Sequence, residues 1–469
     1  MNAKDIEKAY SKLIARTRKY NENEAYVCGK NPEIYKEDKG KSPDNRIPVP
    51  LGKVTVDDMT GYAGRSISVQ YRRVDAGDNN KTSEDEYNNL YTVIQDFNED
   101  DLLLSEEYRE VLSQEESYML LWVSDSLGLD NGMLTPEYQI LSMNQGIPFY
   151  DTSLKPELTS FIRFYDSGDD KYSVVYYPGN FETKKTGYCE GWTKKKDSDE
   201  WIRNPEDDAT YPYMSVPLVV FRMSRKGGPI FEAEKPLIDA HDRAISKTQN
   251  ELDRFNALLA LFPGKVTPEL AKKIEELKIL DELDQYETKP EYLVKDLSSV
   301  ETFYNNQIDR LERLYHKCVK VVDMTTAEFA AGDESGVARA FKLLGMEFKA
   351  AEIEIYFKKA LYKRKELFDD VLRQSTLGLV PEDYTAVVTM KRNLPIDEKA
   401  KAELAVMLLG LGVTMETILK ILPETVIEDV QDELRRIEEE KKERMANMPQ
   451  LIQDTEGDDE TEESGTDTE

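Results

Sequence analysis

Two segments approach a phosphate-binding loop and miss it. A P-loop needs G-x-x-x-x-G-K-[ST], so that backbone N–H groups and the lysine surround the phosphates. In "PGKVT" (263–267), Val266 replaces the hydroxyl residue and Leu259 stands where the first glycine belongs. "LGKVT" (51–55) fails in the same way. "GDESG" (332–336) resembles a hydrolase elbow, but that motif puts glycines two residues either side of the serine. Around Ser335 those positions are Asp333 and Val337. No catalytic residue is assigned.

Metal chemistry is equally poorly served. Cys28, Cys189 and Cys318 are far apart with no CxxC, which fits a reduced compartment. His241 and His316 are the two histidines, neither at ligand spacing from a cysteine, and both read as packed or half-exposed helical residues. The runs "NEDD" (98–101) and "PEDD" (205–208) lack EF-hand spacing and read as solvated surface. No cofactor and no metal is expected.

The chain has 469 residues, 62 basic and 92 acidic, for a formal charge of −30. That balance argues against a protein that coats nucleic acid through Lys/Arg neutralisation, though not against a surface that nucleic acid must pass without sticking, and its simplest use is solubility. The first twenty residues form a charged amphipathic pattern without a signal-peptide core. No run of 18 apolar residues occurs, so neither export nor a membrane span is expected and the setting is intracellular.

Several elements are legible. Residues 1–20 read as a helix with Ile6, Ala9, Tyr10, Leu13 and Ile14 on one face. Around Val49–Val56 the chain is expected to be extended, because Pro48 and Pro50 oppose helix. Residues 84–121 read as helical. From 118 to 222, short β-branched and aromatic runs between turn residues read as strands, and the Tyr/Trp-rich stretch 182–212 as an elaborated loop or hairpin. Helix dominates after Glu234. One long helix is stopped by Pro263-Gly264. A second, over about 300–322, has Phe303, Ile308, Leu311, Leu314, Cys318 and Val321/Val322 as its stripe. A third follows the loop "AAGDES" and runs to about 373. Ser335 is its expected cap, with Asp333 and Glu334 favourable to its dipole. Residues 447–469 form an acidic tail expected to be disordered.

Taken in order, the segments resemble the portal proteins of tailed bacteriophages, of the type found in long-tailed phages of Gram-positive hosts. The resemblance rests on Asn45-Arg46 followed by the "GYAG" of 61–64, on "VPLVVF" and the helix carrying Ser246 and Asn250, on "ESGVARAFKLLG", and on "DVQDELRRIEEE" near the end. It covers roughly residues 25–445. "AHD" (240–242) departs from the family pattern, and 182–212 matches nothing in it.

The resemblance implies an α+β, mostly helical chain with wing, stem, clip and crown regions. Such chains form rings, usually of twelve subunits and thirteen in isolation, around an axial channel for double-stranded DNA. The wing would be 1–234, the stem helices 235–262 and 300–322, the clip 263–299. The tunnel loop would be 323–335, a long wing helix and strand 336–396, and the crown 397–446. Asp323, Met324, Thr325, Thr326, Glu328, Phe329, Gly332, Asp333 and Glu334 would then face passing DNA. Lys265, Lys272, Lys273, Glu276 and Asp281 would serve docking at the clip. Implied partners are the terminase, major capsid and scaffolding proteins and a head-completion adaptor, with assembly in the host cytoplasm and residence at one capsid vertex. A non-ring scaffolding or adaptor protein is the alternative, and a nucleotide-driven packaging enzyme a third, disfavoured by the failed P-loops.

Overall fold

The computed structural model describes residues 1–36, 44–73, 81–124, 134–180, 185–198, 200–225, 227–255, 260–261, 291–292, 297–324, 336–373, 384–393, 398–419 and 430–446. The chain divides into two compact units, Met1–Asn393 and Leu394–Glu469.

In the first unit, α1 (Ala3–Val27) opens with a capping box in which the Asn2 side chain accepts from the Asp5 N–H and the Asp5 carboxylate accepts from the Asn2 N–H. Ile6, Ala9 and Leu13 are buried as expected, while Ile14 faces solvent. Their burial is against an antiparallel meander of five strands: β4 (Gly146–Tyr150), β5 (Leu158–Ser167), β6 (Asp170–Tyr177), β7 (Gly187–Lys194) and β8 (Ile202–Tyr211). Ile147, Ile162, Phe164, Trp192 and Trp201 complete that small core. Within the stretch 182–212, Gly187–Lys194 and Ile202–Tyr211 form the hairpin β7–β8, and its two tryptophans are packing residues.

The segment from Val49 is not extended as expected. It forms helix α2 (Leu51–Met59), continued by a wider turn over Thr60–Gly64. Pro50 is the N-cap, where a missing N–H costs nothing because the first helical donors have no intrahelical partner anyway. The glycine ending "GYAG" has a packing reason: a Cβ on Gly64 would lie 2.4 Å from the Tyr108 ring.

The helical stretch expected over 84–121 is two helices, α3 (Lys81–Phe97) and α4 (Asp100–Ser113), broken at Glu99 in the left-handed region. The chain then enters β2 (Ser117–Ser124), central in a three-stranded antiparallel sheet between β3 (Thr135–Ser142) and β9 (Leu218–Phe221). β1 (Ile67–Arg73) pairs across the chain with β12 (Tyr384–Met390), in register Ile67↔Met390 to Arg73↔Tyr384.

Two long helices follow the sheets: α5 (Lys235–Phe255) and α6 (Leu297–Val319). The first was expected to reach 262. Instead Ala260–Leu261 (β10) pairs antiparallel with Glu291–Tyr292 (β11), so those backbone groups are satisfied by a ladder rather than a helix. On α6 the expected stripe is rotated: Tyr315 and Val319 are buried, while Phe303, Leu314 and Cys318 are exposed.

α7 (Gly336–Leu372) is the longest helix, and its inner face forms much of the main core through Met346, Ala350, Ile353, Phe357, Leu361 and Phe368. Arg364 is fully buried in that face and pairs with Asp100 of the "NEDD" run, so this carboxylate is not solvated surface, while Glu99 and Asp101 are exposed as expected. One Arg364 nitrogen donates to Asp100 Oδ2 at 3.0 Å, and Tyr138 donates to Oδ1 at 2.9 Å. The guanidinium also lies over the Tyr138 ring, 5.3 Å from its centroid. Charge this deep is tolerable because it is paired and fully hydrogen-bonded on the carboxylate side.

The second unit contains α8 (Glu398–Gly410), α9 (Met415–Leu419) and α10 (Val430–Ala446). A turn through Gly412, at φ +80°, separates the first two.

Candidate functional site

The site that sequence and structure both single out is the pair α5 and α6, with the connection that leaves α6 toward α7. One face of α5 carries Asp239, Asp242, Ser246, Asn250 and Asp253. Residues 44–50 run along it, antiparallel to the helix. The Asn45 N–H donates to Asn250 Oδ1 at 2.6 Å, the Ile47 N–H to Ser246 Oγ at 3.0 Å, and the Val49 N–H to Asp242 Oδ1 at 3.0 Å. Asn250 returns a bond to the Asn45 carbonyl at 3.3 Å.

The match is geometric. Four helical residues advance about 6 Å, and two residues of extended chain about 6.6–6.8 Å. Acceptors four apart on α5 therefore meet every second N–H of the segment. Pro48 and Pro50 occupy alternate positions, where no N–H is needed. Asn31 adds two more bonds, to Asp239 at 3.0 Å and Asp242 at 2.8 Å, and Tyr26 donates to Asp239 at 2.9 Å. Burial raises the Asp239 carboxyl above its ordinary range, an effect these two donors oppose. His241, in the divergent "AHD", is buried, with Nδ1 3.5 Å from Asp242 Oδ1.

α6 is anchored at its C-terminal end. The Tyr315 hydroxyl donates to the Leu51 carbonyl at 3.1 Å and shares a 2.6 Å bond with Thr55, which fixes α6 against α2. Lys320 then adopts φ +62°, the left-handed turn that commonly ends a helix but is unusual for lysine. This turn buries Val321 and brings its carbonyl to 2.9 Å from His316 Nδ1. Asp323 follows, half-buried, and Met324 is exposed. The turn also brings Glu312, His316 and Asp323 together, with one ligand-type atom from each within 4.8 Å of the others. Sequence reasoning treated His316 alone. The signal was present as Glu and His four apart on a helix, but the returning aspartate depended on the Lys320 turn.

The far side of the connection is fastened through α7. Arg392, just after β12, donates to both Glu347 oxygens at 2.9 and 3.0 Å and to Glu354 at 2.8 Å. Tyr62 of the "GYAG" motif donates to Glu347 at 2.9 Å. The Arg392 bonds hold the Glu347 carboxyl below its ordinary range.

Among the expected channel residues, Asp323 and Met324 are placed as above. Thr325, Thr326, Glu328, Phe329, Gly332, Asp333 and Glu334 lie outside the described residues, as does the expected cap Ser335. The expected docking residues Lys265, Lys272, Lys273, Glu276 and Asp281 lie outside them too. Among the described residues, no helix is long and apolar enough to cross a membrane.

The family model for phage portal proteins, SPP1 Gp6-like, matches residues 6–446. The chain belongs to the phage portal protein family. No curated protein matches it. Membership places this portal protein in the bacteriophage virion, in DNA packaging and at the head–tail connection, in a family that is structural rather than catalytic. Its mixed helices and sheets fit the α+β class expected from sequence.

Proposed function

We propose that copies of this chain close into a ring at one capsid vertex, with the segment following α6 turned toward the axial channel. The observation that carries this reading is the outer face of α7. Phe341, Leu344, Phe348, Ile355 and Tyr362 are all exposed, and Phe341 and Ile355 are as open as 71% and 69%. At about 100° per residue these five fall within roughly 60° of arc, opposite the buried face. A helix apolar on two opposite faces is the pattern of one enclosed between layers, whereas this chain covers one face. A neighbouring copy supplies the other by head-to-tail packing, which closes when the rotation per subunit divides the circle.

In that arrangement α5 and α6 are the stem helices. The chain between them is the clip that meets the terminase and later the head-completion protein. Residues 1–234 and 336–396 are the wing, and 397–446 the crown. The loop 323–335 presents Asp323, Glu328, Asp333 and Glu334 to the duplex. DNA carries a charge about every 1.7 Å of axis, so a basic lining would trap it. An acidic one repels weakly over a Debye length of ~8 Å and lets it slide. Assembly with capsid and scaffolding proteins takes place in the host cytoplasm.

The decisive measurement is the mass of the purified protein by light scattering, with rotational averages of stained particles. A closed ring of about twelve or thirteen subunits with a central hole is expected. A 53.9 kDa monomer at every concentration, and still with capsid and scaffolding proteins present, would overturn the ring and favour an adaptor.

A further inference from the structure

We propose that Glu312, His316 and Asp323 form a binding site for one divalent transition-metal cation, such as Zn²⁺ or Mn²⁺, at the point where the chain leaves α6. Glu312 and His316 are one turn apart on the same helical face, and Asp323 returns to them through the Lys320 turn. All three are half-buried, and their ligand-type atoms lie within 4.8 Å of one another. Ligands at about 2.0–2.1 Å from a tetrahedral ion stand about 3.3 Å apart, so modest side-chain rotation closes the set.

The imidazole is already oriented for this role. Val321 offers a carbonyl, which can only accept, so in the neutral ring His316 Nδ1 carries the proton and Nε2 keeps the lone pair. A metal-binding histidine is commonly fixed by this kind of bond from its other nitrogen to a backbone carbonyl. Asp58 of α2 is a further carboxylate in electrostatic reach of His316 and Asp323. The C-terminal end of α6 adds its own partial negative charge.

One imidazole and two carboxylates favour Zn²⁺, Mn²⁺ or Co²⁺ over Mg²⁺, which prefers all-oxygen, largely hydrated coordination. Bound there, the ion would tie α6 to Asp323 and so fix where the following loop begins. That consequence rests on the portal reading, whereas the site itself does not.

The test is titration of chelator-stripped, full-length protein with Mn²⁺, followed by loss of the free-ion EPR signal, and with Zn²⁺ by competition. Expected is one saturable site per chain above the background of the acidic surface. Glu312→Gln and Asp323→Asn should each weaken it at least tenfold, and His316→Gln should abolish it. Zn²⁺ should raise the melting temperature of the parent but not of the variants. Should His316→Gln fail to fold, the two carboxylate variants still decide the matter. Equal binding in parent and variants, displacement by Mg²⁺ at equal concentration, or no saturable site at millimolar Mn²⁺ would overturn the assignment. Each readout uses the chain whether or not it forms rings, so failure here and failure of the ring are separate results.

Discussion

The backbone N–H of Ile47 is held by the hydroxyl of Ser246, 3.0 Å away and nearly two hundred residues later in the chain. With the bonds from Asn45 and Val49 on either side, it makes α5 the strand-like partner of a segment that belongs to no sheet. Ser246 is buried, so no water replaces the lost acceptor easily. Ser246→Ala should cost about 1–3 kcal/mol, the usual penalty for a buried donor left unmade, while Ser246→Thr keeps the acceptor and most of the stability. Denaturant unfolding of both variants checks this.

Asp100 and Arg364 bear on the main core. Asp100→Ala strands a guanidinium that has no exposure, and a loss of about 3–5 kcal/mol is expected. The double change Asp100→Leu with Arg364→Met removes both charges and should be much milder than the two single costs added together. A double-mutant cycle reads the coupling directly. Near-additivity would show that the two side chains are not coupled.

Glu107 of α4 is fully buried, and burial pushes its carboxyl up to about 8, only partly opposed by the nearby Ser117 hydroxyl. Its unfolded value is 4.5. Between those values the folded chain holds a proton that the unfolded chain has released, so stability falls as pH rises through the window and the loss is complete above about 8. Each unit of difference corresponds to about 1.4 kcal/mol. Glu107→Gln should therefore melt higher than the parent at pH 8.5, with the advantage shrinking toward pH 5. An advantage independent of pH would contradict the assignment.

Charge on the outer face of α7 should separate folding from assembly. Phe348→Glu with Ile355→Glu replaces exposed apolar groups, so the monomer should unfold within about 0.5 kcal/mol per change of the parent. Ring formation should be lost in the same preparation. Rings that persist would mean that this face is covered by something other than a second copy.

Shortening 325–334 should leave ring assembly intact and impair DNA packaging. Mass measurement and a packaging assay on the same variant give the two answers. Loss of assembly instead would make the segment structural.

Much of this architecture was legible because it rests on local rules. The α1 face, the strand-rich middle and the start of α7 at Gly336 follow from periodicity and turn residues. The misreadings share a cause, which is that distant partners decide the outcome. Pro48 and Pro50 look like helix breakers until α5 is seen to need alternate donors. Asp100 looks solvated until Arg364, 264 residues away, is placed beside it. Asp323 joins Glu312 and His316 only because Lys320 takes a backbone angle that its side chain does not advertise.

The pairing of β1 with β12 has a consequence for synthesis. Ile67 meets Met390, so the first strand leaves the ribosome with its partner still unmade. At roughly 5–20 residues per second, the wait is on the order of tens of seconds. α7 precedes β12 in the chain, so its outer apolar face emerges before the strand and the Arg392 anchor that secure its inner side. Nascent chains thus expose this face before they are complete. If copies pack through it as proposed, assembly favours finished chains released at modest local concentration over neighbours translated side by side on one message.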